Sequence, residues 1–226
     1  MLNKIKVIKE ILKLPRVQIN LGRGKLCYDR YKYFSKPHSK YKIFKHKTIG
    51  VALIDLNLFK NYDDYLNHVN GKNSAAYFRR KAVRGGYKVE LIDRNKYIDD
   101  IYEINTSTLY RQGKKMKEGY LKKKKSYKEE TNFKYFGVIK DNKLYAYCWA
   151  IYCGEVVILN TLLGHNKYLK DGIMYLLITE IVKDAINLNY SFVMYDTFFG
   201  ASDGLKFFKN KFLFKPYKVK WSYENE

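Results

Sequence analysis

The chain has 226 residues, 46% of them apolar, and a formal net charge of +22. That is enough apolar material for one large packed core, and no apolar run approaches the ~20 residues a membrane-spanning helix needs. Three cysteines, Cys27, Cys148 and Cys153, have no metal-ligand spacing and read as reduced thiols of a cytoplasmic protein; Cys148 and Cys153, which flank an apolar segment, are expected in the core.

In chain order, residues 3–14 suit an amphipathic helix rather than a secretion signal. Ile5, Ile8, Ile11 and Leu12 share one face, and Pro15 closes it. "KLCYDRYKYF" and "KTIGVALIDL" read as strands, the second well buried. "NYDDYLNHV" and "NSAAYFRRKAVRGGY" read as helices. In the latter, Asn73 or Ser74 can cap the start and Gly85-Gly86 ends it. "KVELI" is a strand. "NKYIDDIYEINTSTLYRQG" is a helix with Tyr97, Ile98, Ile101, Ile104 and Leu109 at near-helical spacing. After a basic loop, "FKYFGVIKDNKLYAYCWAIYCGEVVILNTLLG" reads as three strands, turning at Asp141-Asn142 and at Cys153-Gly154. "LKDGIMYLLITEIVKDAINLN" is a long helix with Ile173, Leu176, Leu177, Ile181 and Ile186 inward. "SFVMYD" is a strand, "DGLKFFKNKF" a helix and "FKPYKVKW" a last strand. A meander leading through a helix to further strands predicts an α/β domain with a mixed sheet, flanking helices and a basic N-terminal extension. With no internal repeat and no linker, residues 1–60 are expected as that extension, packed on a core domain of residues 61–226.

This order, from the helix "AAYFRRKAVRGGY" to the last strand, resembles the GNAT acyltransferase superfamily. It comes nearest to the Fem-like transferases, which move amino acids from aminoacyl-tRNA. The stretch most similar to the Fem side is "YSFVMYDTFFGASDGLKFFKNKF", supported by "YRQGKKM", "GYL" and "DGIMYLL". The resemblance implies transfer of an acyl or aminoacyl group to an amine or hydroxyl. The donor would be aminoacyl-tRNA or acyl-CoA, and no metal is required. One departure bears on the donor. Acetyl-CoA users carry Arg or Gln and then Gly-x-Gly or Gly-x-Ala where the long helix opens, so that backbone amides grip a diphosphate. Here Leu169 stands in the Arg/Gln position, Gly172 is present, and Met174 replaces the second small residue. A methionine there would crowd a diphosphate, leaving the helix start for another group, with Lys167 and Lys170 at hand.

Candidate catalytic residues follow from the same stretch. Asp196 ends an apolar strand, where α/β sheets bind ligands, and can serve as a base, with Tyr195 as proton donor. The alternative is a turn cap or an ion pair. Alternation puts Val193 and Tyr195 on one face and Met194 and Asp196 on the other. Asp196 is therefore expected at the floor of a cleft that Lys206 and Lys209, three residues apart on one helix, also face. Glu155 at a hairpin turn and His165 beside Gly164 are further base candidates, each also readable as a turn residue.

The charge is uneven. Residues 1–50 carry 14 Lys and Arg against 2 Asp and Glu, whereas residues 151–226 carry 9 against 8. Such a field suits a polyanion such as tRNA or a phosphate-bearing substrate, although an AT-rich genome would also enrich lysine. Candidate contacts are Arg79, Arg80, Arg84, Arg111, Lys122 and Lys123, unless pairing with Asp99 and Asp100 accounts for the arginines. The rival to a transferase is a non-catalytic, basic nucleic-acid-associated or viral structural protein that keeps the fold. Membrane-surface binding by residues 1–14 has too little apolar surface to lead.

Overall fold

The structure is a computed structural model that describes residues 11–39, 42, 44–111 and 113–224. Residues 11–13 are helical; the rest of the expected N-terminal helix lies outside the described residues. The elements in chain order are β1 (Arg16–Asn20), α1 (Lys25–Ser35), β2 (Ile49–Asp55), α2 (Tyr62–His68), α3 (Ala75–Arg84), β3 (Lys88–Leu91) and α4 (Ile98–Thr106). Then come β4 (Tyr110–Arg111), β5 (Lys114–Lys115), α5 (Glu118–Leu121), β6 (Phe133–Lys140), β7 (Lys143–Cys153), β8 (Val156–Gly164) and α6 (Ile173–Asn187). β9 (Phe192–Thr197), α7 (Asp203–Asn210) and β10 (Lys215–Ser222) complete the chain. The described residues form two compact units, one within 11–56, 153–158 and 190–224, the other within 57–152 and 159–189.

In the first unit the strand order is β1-β10-β2-β9-β8. β1 pairs parallel with β10, β2 lies antiparallel to both β10 and β9, and β9 runs parallel to the start of β8 from Val156–Phe192 to Ile158–Met194. β1 and β2 therefore enter the sheet itself. β2 explains why: Val51, Ala52, Leu53 and Ile54 are consecutive and all fully buried, the pattern of a strand covered on both faces. The stretch "KLCYDRYKYF", expected as a strand, is helix α1. Its aromatics favour a strand locally. What decides is that Cys27 and Phe34, seven residues apart, bury one helical face, with the Phe34 ring 4.8 Å from Trp221.

In the second unit the order is β8-β7-β6-β3. β6 and β7 turn at Asp141-Asn142, both at positive φ (49° and 59°), as a two-residue hairpin requires. The Ser74 hydroxyl caps α3 by accepting from Tyr77 N, and the helix ends at Gly85. α6 is buried along Ile173, Leu176, Leu177, Ile178, Ile181, Val182 and Ala185. α4 stops at Thr106, so Leu109, expected on its inner face, is 57% exposed. The hydroxyls of Thr106 and Ser107 bond the carbonyls of Tyr102 and Ile104, which favours termination over another turn.

All three cysteines are buried and unbridged. Burial pushes the Cys148 and Cys153 thiols up, and a hydrogen bond between Cys27 and Cys153 adds to the effect on the latter. No helix among the described residues is long and apolar enough to cross a membrane.

Candidate functional site

The predicted residues fall into both units. In the first, β9 carries Val193 and Met194 into the core and leaves Tyr195 half-buried. The alternation then breaks. Asp196 adopts φ +52°, a left-handed conformation, and its side chain is 61% exposed, ion-paired with Lys47. It is not the floor of a cleft. The backbone turns there because the next residues are claimed elsewhere. Phe198 N donates to Gly50 O at 2.7 Å, and the Phe199 ring fills the place where a Cβ on Gly50 would stand.

The buried cation of this region is Lys209, which is 0% exposed. Its Nζ donates to Thr197 O at 2.8 Å and lies 4.7 Å from the Tyr195 ring centre and 5.5 Å from that of Phe198. Burial pushes its pKa down to about 8, Asp196 pulls it back up, and Lys47 pushes it down. A buried ammonium costs folding free energy, which the carbonyl and the two ring faces offset in part. Lys206 does not join it. Its Nζ turns back to Asp203 at 3.1 Å on the surface. Spacing of three gave a shared face, but the partner of each lysine decided its direction. Glu155 is bound into the turn: its Oε2 accepts from Asn20 N at 2.6 Å, and its backbone bonds Asn20, Ser191 and Phe192.

Asp196→Asn is expected to change stability by less than about 1 kcal/mol in urea titration. Its ion pair is largely solvated, and asparagine tolerates the left-handed backbone at least as well. A loss above about 2 kcal/mol would show that the pair carries more than this exposure allows.

In the second unit His165 follows β8. Its Nδ1 accepts from Lys167 N at 3.3 Å, which leaves the proton on Nε2, 3.3 Å from Glu103 Oε1. Burial pushes His165 down, while Glu103 pulls it up and Lys143 and Arg111 push it down. Glu103 also meets Lys143 at 2.7 Å and is held below its ordinary value mainly by that contact. Arg111 is spent on structure. Its guanidinium donates to Gly164 O (2.9 Å), Ile104 O (2.7 Å) and Ser107 Oγ (3.1 Å), tying the end of α4 to the end of β8. Glu103, Lys143 and Lys47 were missed from the sequence, since nothing local separates them from other surface charges.

The start of α6 is filled by protein. Gly172 has φ +87°, and a Cβ there would meet Phe78 O at under 3.0 Å, because α3 crosses at that point. The Phe78 and Tyr175 rings stack at 4.6 Å, and Met174 packs on Gly164. Lys170 offers its carbonyl to Lys81 Nζ at 2.7 Å, and Lys167 Nζ lies over the Tyr168 ring. Among the arginines, Arg79 binds Glu180 through two nitrogens (3.1 and 2.8 Å) and Arg80 donates to Asn70, beside a cleft of about 300 Å³ lined also by Asp63, Leu66, Asn67 and Ala76. Arg84 and Lys122 are exposed, and Lys123 pairs with Asp99. The expected pairing of the arginines with Asp99 and Asp100 does not occur: Asp100 accepts from Leu144 N instead.

The architecture is a GNAT-like α/β fold, a large mixed sheet with flanking helices. The chain is similar to FemX, with 12% identity over 83% of this chain and 63% of that one and a TM-score of 0.59. A second likeness is to the C-terminal domain of a putative lysylphosphatidylglycerol synthetase from Agrobacterium fabrum (17% identity, 75% of this chain, 58% of that one, TM-score 0.49). A third is to L-PGS from Bacillus licheniformis (15%, 75%, 59%, TM-score 0.49). The chain spans about three fifths of the length of these structures. No family profile and no curated protein matches it.

Proposed function

We propose that the protein is an aminoacyl-transferase that takes its acyl group from aminoacyl-tRNA and passes it to an amine or hydroxyl. The observation that carries the reading is Lys209, a buried lysine with a pKa of about 8 whose Nζ already holds a carbonyl oxygen at the carboxyl end of a strand. A donor ester presents the same group. Nζ is enclosed, so the reaction requires the chain around Thr197 to move aside; the ester carbonyl then replaces Thr197 O as the acceptor from Nζ, and the acceptor nitrogen or oxygen attacks its carbon. The ammonium stabilises the oxyanion and gives a proton to the departing ribose oxygen as the C–O bond breaks. The proton shed by the attacking group restores the lysine. A pKa near the working pH suits a group that must both give and take a proton.

The choice of tRNA over coenzyme A rests on the start of α6, where Phe78 and Met174 occupy the place a diphosphate would need. Calorimetry with acetyl-CoA is expected to find binding weaker than about 10 μM, roughly −7 kcal/mol. A tighter constant would reinstate the coenzyme. The test of the function itself is transfer of labelled amino acids from a charged tRNA pool to amine- and hydroxyl-bearing acceptors, with native mass spectrometry for co-purified donor. A second reading, a basic nucleic-acid-associated protein without catalysis, is favoured by the full closure of Lys209. Bound tRNA with no transfer to any acceptor class would select it.

A further inference from the structure

Residues 113–128, "GKKMKEGYLKKKKSYK", hold eight lysines and one acid, Glu118. A run of this kind is ordinarily a solvated, mobile loop. This one is anchored at both ends. On the entry side β4 and β5 pair through Tyr110–Lys115 and Arg111–Lys114, Met116 N bonds Leu109 O at 2.9 Å, and Arg111 is held by three oxygens. On the exit side the Asn95 side chain grips the backbone of Tyr127 in both directions, Nδ2 to O at 3.0 Å and N to Oδ1 at 2.8 Å. Beside it Arg94, 5% exposed, donates to Lys128 O while stacking 3.7 Å over the Tyr135 ring, with Tyr127 and Trp149 at 5.0 and 5.1 Å. Burying an arginine is costly unless its charge is matched, and here it is used to fix the neck of a lysine-rich segment.

We infer that this strap is a preformed docking surface for the phosphodiester backbone of a folded RNA. Between its anchors Lys114, Lys115, Lys117, Lys122, Lys124 and Lys125 are exposed, and Tyr110 stands 63% exposed on the hairpin beside them. Closely set cations match the repeat of phosphates, and a flat exposed ring among them offers a stacking platform for an unpaired base. Because the ends are tied, part of the ordering that a free loop would undergo on binding is already made. A lipid surface fits less well, since the exposed apolar groups here, Leu109 and Tyr110, are too few to insert. That the RNA is a tRNA rests on the function proposed above; the strap as a surface does not.

The test is fluorescence anisotropy of uncharged tRNA with the full-length protein between 50 and 200 mM salt. The triple variant K122Q/K124Q/K125Q is compared with K183Q/K215Q/K220Q, which removes the same charge from exposed positions elsewhere. The strap variant should bind about tenfold or more weakly, with a salt slope lower by two to three, while the control shifts much less. Asn95→Ala keeps every charge and should weaken binding severalfold with the slope unchanged. Equal losses in the two triple variants, an unaltered strap variant, or binding to phosphatidylglycerol vesicles but not to tRNA would overturn the inference. Strap-dependent tRNA binding without any aminoacyl transfer would sustain it while sinking the enzymatic reading.

Discussion

Lys209→Met should reduce aminoacyl transfer about a hundredfold or more while leaving the protein folded, with a melting temperature near pH 7 within several degrees of wild type. Methionine fills the space of the lysine stem and takes no proton. Two stability effects oppose each other. Removing a buried ammonium relieves a desolvation cost, and Thr197 O loses its donor, worth about 1–3 kcal/mol. The sign of the pH effect separates this reading from others. An unfolded lysine titrates near 10.5 and the folded one at about 8. Between those values the unfolded chain binds a proton that the folded chain has released, so wild-type stability rises with pH across that window and is level below it. The rise is on the order of 3 kcal/mol. In Lys209→Met that rise should vanish. Urea titrations of both proteins at pH 7, 8, 9 and 10 measure it. A variant that keeps both the slope and the transfer rate would remove Lys209 from the site.

The second large effect is structural. Gly172→Ala should destabilise the protein by about 2–4 kcal/mol, because the backbone is at φ +87° and the new methyl group would press on the Phe78 carbonyl of α3. For a chain of this size that corresponds to a fall in melting temperature of roughly 5–15 °C. Gly204→Ala is the control. It lies in α7 with nothing within 4 Å of the added carbon, and helix propensity predicts a gain of up to about 1 kcal/mol. A loss below about 1 kcal/mol at Gly172 would mean that α3 does not close the start of α6, and coenzyme A binding would then be open again.

Much of the fold was legible because strands and helices announce themselves through local periodicity. The unbroken apolar run of β2, the Asp141-Asn142 turn, the Ser74 cap and the buried face of α6 each depend on residues a few positions apart. The sequence by itself thus determined a mixed α/β architecture, its GNAT-like order of elements, and the presence of a lysine-bearing helix after β9. What it could not determine was where each polar group finds its partner. Aromatic residues in "KLCYDRYKYF" favour a strand until Phe34 meets Trp221, 187 positions later in the chain. Asp196 alternates inward on paper, yet it turns left-handed and pairs with Lys47, 149 residues away. Arg79 chooses Glu180 over the nearer acids, and Lys209 rather than Lys206 is buried. Protonation, charge compensation and access all follow from such distant contacts, so only the tertiary structure decided which cation sits dry at the end of β9 and which stand in water. The physical reason is that burial sets the energy of a charge, and burial is a property of the packed chain rather than of any stretch within it.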